Sequence, residues 1–534
     1  MTQIFDNALL FNPAIGEWVL SSFSIADGLV TVVGVPGSIS GYPVTDLNGA
    51  RVVPGLIDSH VHIESTLLTP HEFGRLALQN GVTTVIADSH EIANVAGCAG
   101  IDFMLIDAKN SPADIFFMIP SCVPATPKDI GGAVVSYEDI VTYKGVKSVI
   151  GLGEMMNVPG VLFEDPEVLA KLSLFTHIDG HAPMLSGEAL CKYVGRHIKT
   201  DHECISASEA MEKLSLGMYI LLREGDAAKN VAALSEIVND RTASRCCFST
   251  DDRHVDSRAR QGSIDNCIRV AVRNGMPLAL ALRLATLSAA ECFGLLDRGM
   301  IAPGRRADFC VLGEEIEFTV KDVYKNGVLA KTMPKLPASA EFVSPPFKCR
   351  IPREEDLSLP KGELRVIELI PDEIVTNALV TDSPNNFQKV VCVDRYRAEG
   401  FGVGLVKGFD FEKGAVATSV SHDAHNIIAT GVTDMEIIAA IHAVQNAGGG
   451  MAIVCNGEIT ILTLPYGGLM TPLPYEEVVT LMDDLTEHLK MIGASPATFM
   501  QLSFLSLTVI PHMKITPRGL FDSDAFCDVP INLK

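Results

Sequence analysis

Tryptophan occurs once in this chain, at position 18, and with 9 Tyr and 23 Phe the aromatics reach only 6% of residues. The core must therefore be built mainly from aliphatic side chains. Basic charge is also scarce: 42 Lys and Arg stand against 65 Asp and Glu, a net charge of -23. A field of that sign repels phosphate backbones, which argues against a nucleic-acid partner and leaves a small neutral or cationic substrate open. No apolar run approaches the roughly 18 residues a membrane helix needs. The opening Met1-Thr-Gln-Ile-Phe-Asp lacks a basic stretch followed by an apolar one, so neither a membrane partner nor a secretion signal is expected. The 13 cysteines include no Cys-x-x-Cys. That excludes a cysteine-rich zinc site and the deaminase type built on a Pro-Cys-x-x-Cys half-site. It also predicts reduced, buried thiols in a cytoplasmic protein. Gly402-Val-Gly404 is followed by Lys407 where a dinucleotide loop needs its third glycine. A P-loop lysine motif and a Gly-x-Ser-x-Gly elbow are missing as well.

What remains is a packed globular chain, with 47% hydrophobic and 20% charged residues over 534 positions. That length fits two to four domains. Residues 1–51 carry short β-like runs with turn signals, and 299–345 return to the same rhythm, so the two stretches are expected to pair into one small β-sandwich domain. Between them, 52–298 alternates apolar runs with helical patterns. Pro334, Pro337, Pro345, Pro346, Pro352 and Pro360 mark a linker. From 362 to 534 an α+β domain follows, with a strand at Ile427-Ile-Ala-Thr-Gly and a helix over 434–446.

Eight candidate strands lie in the middle region, at 52–57, 82–87, 115–119, 148–152, 174–178, 197–199, 218–222 and 245–248. Eight alternating units over about 250 residues predict an α/β fold of the (β/α)8 TIM-like barrel type. By pattern alone, a doubly wound open sheet is the alternative. In a barrel, chemistry collects at the C-terminal strand ends. Here the ends read Asp58-Ser-His60-Val-His62, Asp88-Ser-His90-Glu91, Gly153-Glu154, Asp179-Gly-His181, Asp201-His202-Glu203, Arg223-Glu224 and Thr250-Asp251-Asp252-Arg253-His254. Nine of the 14 histidines fall within residues 60–254. His60 and His62 alternate on one strand face, which suits a divalent transition metal. Gly151 and Gly153 permit close approach beside Glu154, whose two oxygens can bridge two ions. His181 and His202 are expected as ligands of the second ion. His177 competes with His181 but lies inside an apolar run; His197 reads as core or as a support behind the ligands. Asp251, ahead of Asp252, can touch a metal and take a proton from bound water. Two such ions acidify water enough to supply hydroxide at neutral pH, and the chemistry expected is hydrolysis at an unsaturated carbon.

A β-flanked barrel with His-x-His followed by Glu, His, His and Asp resembles the amidohydrolase superfamily. Val53-Pro-Gly-Leu-Ile-Asp-Ser-His-Val-His62 and Ile301-Ala-Pro-Gly-Arg-Arg-Ala-Asp308 are similar to its entry and exit segments. His60-Val-His-Ile-Glu-Ser65, Ala87-Asp-Ser-His-Glu-Ile-Ala-Asn-Val95, Gly153-Glu-Met-Met-Asn-Val-Pro-Gly160, Ile178-Asp-Gly-His-Ala-Pro183 and Ser419-Val-Ser-His-Asp-Ala-His-Asn426 look like the bacterial adenine deaminase family, over nearly the whole chain. Ser89 departs from that pattern, standing where a proline is expected. The resemblance implies conversion of adenine and water to hypoxanthine and ammonia in purine salvage. It implies a centre of two divalent ions, Mn2+ or Fe2+, on His60, His62, Glu154, His181, His202 and Asp251, and a homo-oligomer, dimer or larger. The donors alone also suit Zn2+. Glu64, His90, Glu91, Asn157, Arg223, Glu224 and Arg253 are candidates to contact the purine or support the ligands. His422, Asp423 and His425 are candidates to approach the site or to bind a further ion. The alternatives are another binuclear amidohydrolase acting on a different purine or cyclic amide, and a non-enzymatic metal-binding protein. A carboxylated-lysine centre is disfavoured, because the fourth strand offers Glu154 while Lys144 and Lys147 precede it.

Overall fold

The structure is a computed structural model that describes residues 2–313, 317–337, 340–371 and 373–533. Its centre is a ring of eight parallel strands: Leu56–Val61, Val82–Asp88, Asp114–Ile119, Val149–Met155, Ile178–Gly180, Thr200–Asp201, Tyr219–Arg223 and Cys246–Ser249. The first five pair in order, as do the last three. Lys199 N–H donates to the Ile178 carbonyl at 2.9 Å and joins the two groups. Asp251 N–H donates to the His60 carbonyl at 3.0 Å and closes the ring. Strands such as Val82–Asp88 and Tyr219–Arg223 are buried on both faces, which is why they read as unbroken apolar runs rather than alternating ones.

Three strands begin later than the sequence pattern suggests. Val52 and Val53 belong to Arg51–Pro54, which pairs with Phe309–Leu312 in the flanking sheet; the barrel strand starts after Gly55. Leu174 sits in a turn that follows the helix Pro166–Leu172. His197 has a left-handed backbone, φ 66°, and is exposed, so it neither packs in the core nor supports a ligand. Gly195 at the end of the helix Gly187–Val194 starts that turn.

The two ends of the β-rich stretches join edge to edge. Gln3–Asn12, Glu17–Ala26, Leu29–Gly34, Val44–Asp46 and Arg51–Pro54 share one eight-stranded sheet with Phe309–Leu312, Val320–Lys325 and Val328–Leu329. Phe5, Phe23, Phe309 and Tyr324 stack together at its core with centroid separations of 4.5–5.2 Å. The last third of the chain forms another eight-stranded sheet, which includes Ile427–Gly431 as expected and is covered by the helix Asp434–Asn446. A three-stranded sheet, Met513–Thr516, Gly519–Asp522 and Cys527–Val529, follows. All 13 thiols are unpaired; most are buried, while Cys191 and Cys527 are exposed. No helix among the described residues is long and apolar enough to cross a membrane.

Candidate metal centre

The C-terminal strand ends carry the six expected donors into one buried cluster. His60 and His62 come from and just after the first strand, Glu154 from the fourth, His181 and His202 from just beyond the fifth and sixth, and Asp251 from just beyond the eighth. His60 Nε2 and His62 Nε2 lie 3.1 Å apart. His62 Nε2 is 3.2 Å from both Glu154 Oε1 and Asp251 Oδ1, and His60 Nε2 is 3.7 and 3.8 Å from the same two atoms. On the other side, Glu154 Oε2 is 2.7 Å from His181 Nδ1 and 3.4 Å from His202 Nε2. Donors about 2.1 Å from a common ion sit roughly 3.0–3.5 Å from one another in octahedral or tetrahedral geometry. The donor set therefore fits divalent cations, with the two oxygens of Glu154 facing different groups of nitrogens.

The tautomer of one ligand is set by its surroundings. His62 Nδ1 lies 3.2 Å from the Asp88 carbonyl, so it bears the proton and Nε2 keeps a lone pair for a metal. Asp88 also uses its side chain: Oδ2 accepts the Glu154 N–H at 2.9 Å and Oδ1 accepts the His90 N–H at 3.1 Å. Asp201 accepts the backbone N–H groups of Ala182 at 2.9 Å and Glu203 at 3.2 Å, bracketing His181 and His202. The close approach at Gly153 serves this frame: an added Cβ would lie 2.1 Å from Asp88 Oδ2. At Gly151 it would meet Met118 and the His177 carbonyl. His177 Nε2 lies 3.3 Å from Asp179 Oδ1, and its ring stacks on Phe293, away from the donors.

Arg223 anchors the acidic side of the centre. Its Nη2 donates to Glu203 Oε2 at 2.8 Å, and its Nη1 donates to both Glu203 Oε1 and Asp251 Oδ2. Burial opposes ionisation of Asp251, yet the Arg223 guanidinium and neighbouring imidazoles hold its carboxyl well below the usual range. Burial likewise opposes ionisation of Glu154, and the imidazoles of His181, His202 and His62 outweigh it. Asp251 itself has φ 54°, a left-handed backbone uncommon outside glycine and concentrated at functional sites.

These donors open into a cleft at the barrel mouth. Of the other expected residues, His90, Glu91, Arg223, His422 and Asp423 line it. Four others are engaged elsewhere. Asn157 caps the helix Val158–Leu162, accepting the Gly160 N–H at 2.9 Å. Arg253 donates to the Gly262 carbonyl at 2.9 Å and to Gln261 at 3.1 Å. Glu224 is not in the cleft lining, and its backbone pairs with Lys229 in an isolated β-bridge. Glu64 accepts the Ile92 N–H at 3.1 Å, and burial pushes its carboxyl up to about 7. Two acids passed over in favour of their neighbours do line the cleft: Glu203, next to His202, and Asp252, next to Asp251. So does an apolar wall of Ile374, Phe504, Leu507 and Ile510, which no local motif announces.

A (β/α)8 barrel with this donor set at its mouth defines a metal-dependent hydrolase. A family model for the amidohydrolase family matches residues 51–330, and one for the adenine deaminase C-terminal domain matches 368–527. A protein named adenine deaminase from Methanoculleus marisnigri is 49% identical over 95% of this chain and 99% of its own length. One from Geobacillus kaustophilus is 39% identical over 99% of this chain and 96% of its own. The chain belongs to the adenine deaminase family of amidohydrolases.

Proposed function

We propose that this protein hydrolyses adenine to hypoxanthine and ammonia at the barrel mouth. The observation that carries the reading is the position of Glu154, whose single carboxylate faces His60 and His62 with one oxygen and His181 and His202 with the other. His60, His62 and Asp251 would hold one ion and His181 and His202 the other, with Glu154 between them. Two divalent ions so held supply a water acidified enough to attack near neutral pH. The donor chemistry and the family support Mn2+ or Fe2+, and imidazole with carboxylate also suits Zn2+.

The chain's own residues do the rest. As the water oxygen bonds to C6, one of the water's two protons passes to Asp251, ionised beside Arg223, and the other ends on N1 as the ring double bond shifts, leaving the oxygen to become the C6 carbonyl. Asp251 then returns its proton to the amino nitrogen, the C6–N bond breaks, and ammonia leaves. The apolar wall excludes bulk water from one side of the ring and the polar side chains face its edges. The resemblance supports a homo-oligomer, dimer or larger. The 13 unpaired thiols support a cytoplasmic setting, where they stay reduced.

The test is to load the purified chain with Mn2+ or Fe2+, add adenine, and follow ammonia release with the ultraviolet shift to hypoxanthine. Glu154→Gln and Asp251→Asn run beside it, and both are expected to abolish turnover. No ammonia from a protein with two ions bound would overturn the reading.

A further inference from the structure

One oriented polar group in the cleft comes from the far end of the chain. His422 Nδ1 lies 2.5 Å from Glu91 Oε1, and the second oxygen, Oε2, is engaged by His425 Nε2. All three side chains are buried. The partners set the tautomer of His425: its Nδ1 accepts the Ser421 backbone N–H at 3.2 Å, so its proton sits on Nε2 and is donated to Glu91. A nitrogen that bears a proton has no lone pair for a cation. Glu91, His422 and His425 bring ligand-type atoms within 4.8 Å of one another, but they form a hydrogen-bonded trio rather than a third metal site.

The trio, with its neighbours, fixes the His422 ring. Phe504 stacks on it with centroids 4.5 Å apart and planes 11° apart. Its backbone is held too: His422 N–H donates to the Ser503 carbonyl at 2.9 Å, and Ser506 Oγ donates to the His422 carbonyl at 3.1 Å. With Nδ1 committed to Glu91, Nε2 is the ring's remaining polar atom. It has no hydrogen-bond partner among the described residues, and the side chain lines the cleft.

We propose that His422 is a substrate contact contributed by the C-terminal region: its Nε2 hydrogen-bonds a ring nitrogen of the purine, N3 or N7. Glu91 and His425 are positioning residues that aim it. This inference rests on the reading of the cleft as the adenine site. A purely structural latch between barrel and C-terminal region would use Nδ1 and Glu91 and make no demand on Nε2.

Asparagine and glutamine separate the two uses, because the Asn amide reaches about as far as Nδ1 and the Gln amide about as far as Nε2. The full chain loaded with Mn2+ is assayed with adenine, and metal content and melting temperature are measured alongside. In His422→Asn, KM is expected to rise about tenfold, the size of one lost substrate hydrogen bond, with kcat changing less and metal content unchanged. His422→Gln is expected to lie closer to the parent in KM. In the parent, either 3-deazaadenine or 7-deazaadenine should bind about tenfold more weakly than its partner analogue, and this difference should vanish in His422→Asn. If His422→Asn keeps kcat/KM within twofold of an active parent, or His422→Gln is the more damaged of the two, the contact is refuted and the latch stands. If neither variant folds, equal binding of the two deaza analogues by the parent refutes it. A parent with two ions bound that releases no ammonia from adenine overturns the function reading, and the inference falls with it.

Discussion

Asp88 holds Glu154 through the backbone: Asp88 Oδ2 accepts the Glu154 N–H at 2.9 Å, while Asp88 Oδ1 takes the His90 N–H at 3.1 Å. One carboxylate thereby sets the position of the central acid and of a histidine in the cleft wall.

Asp88→Asn places an amide NH2 against one of those two N–H donors. Metal affinity or turnover is expected to drop 10–100-fold, the usual cost of losing support behind a ligand. Gly153→Ala should do at least as much, because its Cβ would lie 2.1 Å from Asp88 Oδ2. Metal content by elemental analysis and kcat with adenine check both.

Removing the ions should cost stability as well as activity. The apo centre leaves the Glu154 and Asp251 carboxylates buried among imidazoles without their cations. An ion present at 100 times its dissociation constant stabilises the folded state by about 2.7 kcal/mol. Protein treated with a chelator is therefore expected to melt at a lower temperature and to recover on addition of Mn2+ or Fe2+. Scanning calorimetry before and after reloading measures it.

Lys213 is fully buried, with Nζ 3.0 Å from Asp201 Oδ2, 2.7 Å from Glu209 Oε1 and 2.7 Å from the Ala182 carbonyl. Lys213→Met strands the buried Asp201 carboxylate. Breaking one partner of such a pair typically costs 3–5 kcal/mol. Because Asp201 also orders the backbone around His181 and His202, the denaturation midpoint and the metal content are expected to fall together.

Lys514 is buried with its ammonium on the carbonyls of Ile374 and Phe504, and burial lowers its pKa from the ordinary 10.5 to about 7. The unfolded chain therefore binds a proton that the folded chain lacks between about pH 7 and 10.5. Stability from this group rises with pH across that window, by at most about 1.4 kcal/mol per pH unit. Lys514→Met is expected to flatten that rise, which urea denaturation at pH 7, 8 and 9 would show.

The donor set was readable because a barrel delivers strand ends to one place: His60, His62, Glu154, His181 and Asp251 each sit in or just beyond a strand that an apolar run announces, whereas the strand before His202, Thr200–Asp201, follows only His197-Ile-Lys199. Charge alone was a poorer guide. Arg253 and Asn157 stand beside the same strand ends, yet they turn into the scaffold to satisfy backbone groups there. Glu203 and Arg223 form a pair that neither position reveals by itself. Strand starts were blurred where an apolar run crosses from one sheet to another, as at Val52 and Val53. The wall of Ile374, Phe504, Leu507 and Ile510 carries no motif, because apolar side chains in a pocket look like any other core residues.

The hydrogen bond from His422 to Glu91 spans 331 residues of sequence. During synthesis, every metal donor leaves the ribosome long before the side chain that completes this contact. A growing chain thus has every residue of the donor cluster before it has the C-terminal residues that complete the cleft. A chain that ends before Ile374 carries the whole donor cluster but lacks Ile374, Phe504, Leu507 and Ile510 of the cleft wall.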